Sequence, residues 1–456
     1  MNILLILSAV LLVVGLKYPP IFFFLLILLT ANGDSLGMGG FLNSLGFGFA
    51  MKVINVIAIA SSFVCFQKLW QRKNEDKSAN RAFIMGSLAM FASIWIAFST
   101  IVKYTNIGGG IGAFVDSRLY SVLIVLAYWR SKRAQKLFIT LLIIQLSLAA
   151  TLVLFPDGFF SDLNATNYLD QEMGVREYYQ QYTGSVARFI IDGHKDTRFF
   201  GQFHNPNQYG FYSIIGLVIG WYLFFYNTTK YKRIIGLVIL IEAIFGWMVT
   251  FTRGATMGLL VGILAITIHS KNPRYVMRWF LLIILFLLTF LVFPFIFDKT
   301  LNIFLEPDSF DSRIKGLQFA LENMFIYPLF GIPVELTYAN NYYGPHQTIP
   351  QYIMYYGIPV GIVISIFTWW QISSNFIQDF KTVGHRNDQV IFTNNEYYLF
   401  IVIGWIVFGM GLTNFTGGGV LNWLCFAIAC LPWVNSGYYF THDIPRKPRR
   451  QPRQYR

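Results

Sequence analysis

The sequence predicts an all-α polytopic membrane protein, and three observations predict it. Of 456 residues, 55% are hydrophobic and only 12% charged, whereas water-soluble domains carry about 25% charged residues; the chain lacks the polar side chains to cover a water-facing surface. The apolar residues fall in runs of about 20, the length that crosses a bilayer. Lysine and arginine gather in short connections between those runs, as membrane orientation requires. A soluble enzyme, a disordered regulator and a fibrous protein are thereby excluded. The net charge of +13 reports topology rather than a nucleic-acid partner. Cys65, Cys425 and Cys430 are scattered and form neither a disulfide framework nor a metal motif.

Spans are expected near 46–67, 82–102, 113–129, 137–155, 207–226, 234–251, 255–268, 279–297, 349–370, 397–413 and 419–434. Stretch 2–31 is apolar but interrupted at Lys17-Tyr18-Pro19-Pro20, so it is one kinked span or two short ones, and the total is twelve or thirteen. Twelve spans put Met1 inside; thirteen put it outside. Loop 68–81 holds five bases, 130–136 four, 227–233 three, 269–278 three and the tail 442–456 six. Strict alternation puts all of these on one side, the cytoplasmic one. Loop 371–396 falls there too, with two bases against three acids, and is neutral. No cleavable signal peptide is expected, because the first apolar run lacks a basic leader and a small-residue cleavage site.

Alternation assigns two long segments, 156–206 and 298–348, to the outer face. The first carries seven acids against four bases, the second six against three. Their Pro, Gly, Tyr and apolar content argues for order, and loops of this length are commonly functional. With no internal repeat, the chain 1–456 reads as a single membrane domain, with both segments forming an extracytoplasmic cap.

Absent motifs narrow the chemistry. The chain has no G-x-x-x-x-G-K-[ST] phosphate loop, no H-E-x-x-H zinc helix and no G-x-S-x-G serine elbow. The early outer region 32–45 holds one acid, Asp34, where a metal-dependent membrane glycosyltransferase would show paired carboxylates. No metal and no cofactor are expected.

What remains is cationic residues at helix ends on the outer side. Arg198 lies beside Asn205-Pro206-Asn207, a turn into a helix N-terminus, where free N–H groups and the dipole favour an anion; the plainer alternative is an interfacial arginine reaching for headgroups. Arg253, in Thr252-Arg253-Gly254, sits between two apolar runs with almost no loop. An arginine at the membrane edge is costly and marks a ligand path. Gly254, Gly258 and Gly262 then repeat at four-residue spacing, which reads as helix packing. Arg313 follows Asp311 and Ser312, either of which can cap an amphipathic surface helix, and it points either to a site or to headgroups. His346 precedes span 349–370, where an imidazole facing cations can serve as a general base. Around it stand Tyr338, Tyr342, Tyr343 and Tyr352, able to stack on sugar rings or to form an aromatic belt. Glu242, midway along span 234–251, is the one clear acid at bilayer depth. It is a paired structural charge or part of an acceptor path.

In this order the residues resemble the O-antigen ligase and O-antigen polymerase superfamily of bacterial envelope enzymes: a Pro-Asn turn ending a long outer loop, Thr-Arg-Gly at a tight outer turn, then Ser-Arg, Pro-Leu-Phe-Gly and a histidine before a helix containing Gly357 and Gly361. The resemblance covers about residues 185–365 in motifs and the whole chain in topology. It implies metal-independent glycosyl transfer on the outer face, from a polyprenyl diphosphate-linked glycan to a sugar hydroxyl, with membrane lipid around it and a flippase and chain-length regulator as partners. Arg198, Arg253 and Arg313 would bind the diphosphate, since guanidinium forks pair with phosphate oxygens. Arg253 and His346 would be catalytic, and Glu242, Tyr342 and Tyr343 would serve the acceptor or the structure. Gln347 departs from the family's usual Asn after the histidine.

The motifs suit polymerase and ligase alike; a composition rich in Phe, Ile, Asn and Lys tips the reading toward polymerase. A flippase for lipid-linked sugars would line a mid-membrane cavity with charge and repeat its halves, whereas here the cations cluster at one face. A scaffold for envelope assembly would make the outer arginines dispensable.

Overall fold

The computed structural model describes residues 13–21, 48–117, 119–128, 131–155, 206–226, 229–250, 253–269, 308–333 and 348–366, with isolated positions 277, 280, 281, 284, 288 and 336. Among the described residues the chain is helical, with no strands. We number the helices α1 (Gly48–Arg72), α2 (Lys77–Tyr104), α3 (Ile107–Asp116), α4 (Tyr120–Ala127), α5 (Lys132–Leu154), α6 (Pro206–Tyr226), α7 (Lys230–Thr250), α8 (Arg253–His269), α9 (Asp308–Met324), α10 (Thr348–Tyr356) and α11 (Ile358–Ser365).

Two of them, α2 and α7, are long and apolar enough to cross a membrane, and the bent pair α3–α4 adds a third if read as one span. Expected spans 397–413 and 419–434 lie outside the described residues, as do most of 2–31 and of 279–297 and the outer segment 156–205.

Several boundaries differ from expectation. The basic connection 68–81 is shorter than read: α1 runs through Arg72 and α2 starts at Lys77, capped by the Asp76 carboxylate, which accepts from Ala79 N at 2.7 Å. Lysine and arginine are good helix formers, so charge alone does not end a helix. Span 113–129 is not one helix; α3 and α4 meet at a 45° bend. All eight residues of α4 are buried, against α1 and α2, which makes it the inner element of this part of the bundle. Span 349–370 is broken at Gly357, whose φ of 89° belongs to a region that glycine tolerates and other residues do not.

Helices α6 and α7 form the tightest antiparallel pair. An added Cβ at Gly220 would stand 2.8 Å from Leu240 N and 2.9 Å from Gly236 O, and one at Gly246 would stand 2.7 Å from the Tyr209 ring. Small residues at these crossings let the backbones touch, the packing favoured where no water drives helices together. Helix α8 adds Ala255, Leu259 and Ile263 to the core made by Trp221 of α6 and Trp247 of α7, with Gly258 and Gly262 buried beside them. That agrees with a packing role for the glycine repeat.

Candidate active site

Arg253 is the first residue of α8, separated from the end of α7 by residues 251 and 252. One side-chain bond crosses the turn, Trp247 Nε1 donating to Thr256 Oγ1 at 3.1 Å, while Thr250 Oγ1 donates back to Trp247 O at 3.0 Å within the last turn of α7. Arg253 therefore stands at a helix N-terminus whose first N–H groups lack helical acceptors, with its backbone fixed relative to α7. Pro206 likewise opens α6, as the Asn205-Pro206-Asn207 turn predicted; proline at a first helical position costs no hydrogen bond. Arg198 lies outside the described residues.

Arg313 lies within α9, but the expected cap moves. The helix begins at Asp308, so Asp311 and Ser312 are helical residues and Arg313 falls in the second turn, not the first. Helix α9 packs against α10, with Ala320 joining Ile332 and Met354 in a small core. Both helices thus belong to one substructure. His346, Tyr342 and Tyr343 lie outside the described residues; α10 opens at Thr348, two residues beyond the histidine.

Glu242 finds a partner that sequence did not name. Ser147 Oγ of α5 stands 2.9 Å and 2.8 Å from its two carboxyl oxygens. Glu242 lies eight residues before the end of α7 and Ser147 seven before the end of α5, about 12 Å and about 10 Å along their helices at 1.5 Å per residue. Among the described residues this hydroxyl is the carboxyl's hydrogen-bonding partner, so Glu242 is held across a helix interface rather than by a cation.

A junction that sequence reasoning missed sits where Pro328-Leu329-Phe330-Gly331 meets Gly357. Ile358 N donates to Pro328 O and Ile332 N to Met354 O, each at 2.8 Å. Gly331 has a φ of 77°, and any Cβ there would strike Met354 O, as one at Gly357 would strike Leu329 O. Helix α2 closes the junction. Trp95 Nε1 donates to Leu329 O at 3.1 Å and to Tyr356 O at 3.2 Å, and its ring stacks on Phe330 with centroids 5.9 Å apart. The Lys103 ammonium donates to Tyr355 O and lies 5.6 Å from the Tyr356 ring centroid. The two glycine motifs read serially in the sequence are thus one contact in space. Lys103 carried a signal, a base at the outer end of a span; Trp95 carried none.

No curated protein matches the chain. The family model described as O-antigen ligase matches residues 235–365. That stretch takes in Glu242, Arg253, Arg313, Tyr342, Tyr343 and His346, together with both sides of the Gly331–Gly357 junction, and leaves Arg198, Trp95 and Lys103 outside. Over this segment the chain is similar to the O-antigen ligase family, in line with the resemblance read from the motifs.

Proposed function

We propose that the protein is a polysaccharide polymerase of the bacterial cell envelope, a multi-pass enzyme of the cytoplasmic membrane that transfers a polyprenyl diphosphate-linked glycan, of capsule or O-antigen type, to a sugar hydroxyl on the outer face. The observation that carries this reading is Arg253, within the matched stretch and first in α8, where helix dipole and guanidinium would act on one anion. In the transfer, the acceptor oxygen forms a bond to the anomeric carbon as the bond from that carbon to the diphosphate oxygen breaks. His346 takes the hydroxyl proton. Arg253 and Arg198, helped by Arg313, stabilise the charge growing on the departing diphosphate. The donor already carries the activated bond, so no nucleotide and no metal enters this scheme. A flippase would supply the donor and a chain-length regulator would act on the product.

The family description favours one further reading, a ligase that hands the finished chain to a different acceptor. One assay separates the two. Purified protein in proteoliposomes receives the lipid diphosphate-linked repeat unit alone; a polymerase builds a ladder that stays on the carrier, and a ligase leaves the donor unchanged until a second acceptor is added. Arg253→Ala and His346→Ala should each lower transfer at least about 100-fold, to a residual rate, while the chain remains folded and inserted. Normal transfer by both variants would overturn the site.

A further inference from the structure

We infer that Trp95 and Lys103 are positioning residues of the transfer reaction, holding α10 and through it the histidine that leads into that helix; this rests on the role given to His346 above. Helix α10 has nine residues, well below the about 12–15 at which an isolated helix becomes even marginal. Its place is therefore set by what grips it. A helix leaves its last carbonyls without intrahelical partners, and three successive ones here are taken by groups outside α10. Met354 O receives the Ile332 N–H, Tyr355 O the Lys103 ammonium and Tyr356 O the Trp95 indole N–H. Lys103 also brings a positive charge to the negative end of the helix dipole.

Both donors stand on α2, a 28-residue helix whose Ala89, Ala92, Ser93, Ile96 and Ser99 are buried in the bundle. The anchor is thus a packed rail. The same indole N–H holds Leu329 O, so one side chain fixes the segments on both sides of 334–347, the stretch that carries Tyr342, Tyr343 and His346. Gly357, with its φ of 89°, ends the gripped helix and lets α11 leave along α2. Lys103 has no part in setting topology, since the bases that orient the chain lie at the opposite face.

The experiment uses the full chain in proteoliposomes with labelled lipid diphosphate-linked repeat unit. Trp95→Phe keeps an aromatic ring against Phe330 and removes the indole donor; Lys103→Met keeps the stem and removes the charge; Lys103→Arg keeps both charge and donor. Trp95→Phe and Lys103→Met should lower kcat roughly 10–100-fold, the scale of a misplacement of about 1 Å, with the donor KM little changed. Lys103→Arg should recover most of the rate. Each loss should vanish when the same change is made in His346→Ala, whose residual rate is followed over long incubations, because residues acting through one group are not additive. Wild-type kcat in both single variants, or an equal fold loss with and without His346, overturns the inference while leaving the proposed function standing. If His346→Ala itself transfers normally, the role given to His346 falls and the inference falls with it, whatever Arg253→Ala shows.

Discussion

Two helix junctions hold this molecule together in opposite ways. Between α6 and α7 the contact is spread along the pair: Gly216 against Ala243, Gly220 against Gly236 and Leu240, Gly246 against Tyr209 and Ser213. No single polar group carries it. In the segment 328–358 two glycines with positive φ close the chain on itself, and two side-chain donors, Trp95 and Lys103, tie it to α2. Continuous helices in lipid satisfy their own backbones and need only close packing. A break exposes carbonyls that must be satisfied from elsewhere. The matched family stretch contains such a break, and the residues proposed for catalysis lie beside helix starts rather than within helices. A site built at breaks gains free N–H groups and irregular backbone at the cost of relying on a few hooks.

The largest expected effect tests that dependence. Gly357→Ala puts a side chain into a strained backbone region and drives its Cβ into Leu329 O. We expect a loss of about 3 kcal/mol or more, from strain and steric conflict together. Thermal unfolding in detergent measures it. A variant that melts with the wild type would mean that the junction yields easily and that the contrast with α6–α7 is empty.

Gly220→Ala is the matching test of the other junction. The added methyl would meet Leu240 N at 2.8 Å, a backbone atom, so the helices must part. Overpacking of this kind costs about 1–3 kcal/mol. Because the contact is distributed, the loss should be smaller than at Gly357 and should leave donor KM unaltered. Transfer kinetics beside the same unfolding curve check both points.

How much of this was legible in the sequence follows from the same physics. Apolar runs long enough to span were readable because hydrocarbon thickness fixes their length, and the starts of α6 and α8 were readable because Pro206 and the short link before Arg253 punctuate them. Helix breaks inside apolar stretches were not, since hydropathy is equal on both sides. Span 113–129 hid the bend between Asp116 and Tyr120. Span 349–370 hid Gly357, although Gly357-Ile358-Pro359 offered a signal, with proline in the first turn of the new helix. The cap at Asp311 or Ser312 was misread because Asp308-Ser309-Phe310-Asp311-Ser312 offers four capping side chains within five residues, and side-chain type alone does not choose among them. Trp95 was beyond reach: an aromatic in an apolar helix is ordinary, and its partners lie more than two hundred positions away.

The smallest expected effect concerns the acid that belongs to neither kind of junction. Glu242 meets Ser147 across α5 and α7, and the hydroxyl lies within 2.9 Å of both carboxyl oxygens. Interhelical hydrogen bonds in membranes average about 0.6 kcal/mol and reach about 1.7, so Ser147→Ala should lower stability by about 1 kcal/mol. Glu242→Gln keeps an oxygen that can accept from the hydroxyl and should unfold with the wild type. Transfer rates then decide what the carboxyl is for. If Glu242→Gln elongates at the wild-type rate, the acid is a strut between two helices, and the α5–α7 contact joins the distributed, purely structural class. If it melts normally yet loses transfer, the carboxyl belongs to the acceptor path, and the reaction reaches about 12 Å along α7 from the end that adjoins Arg253.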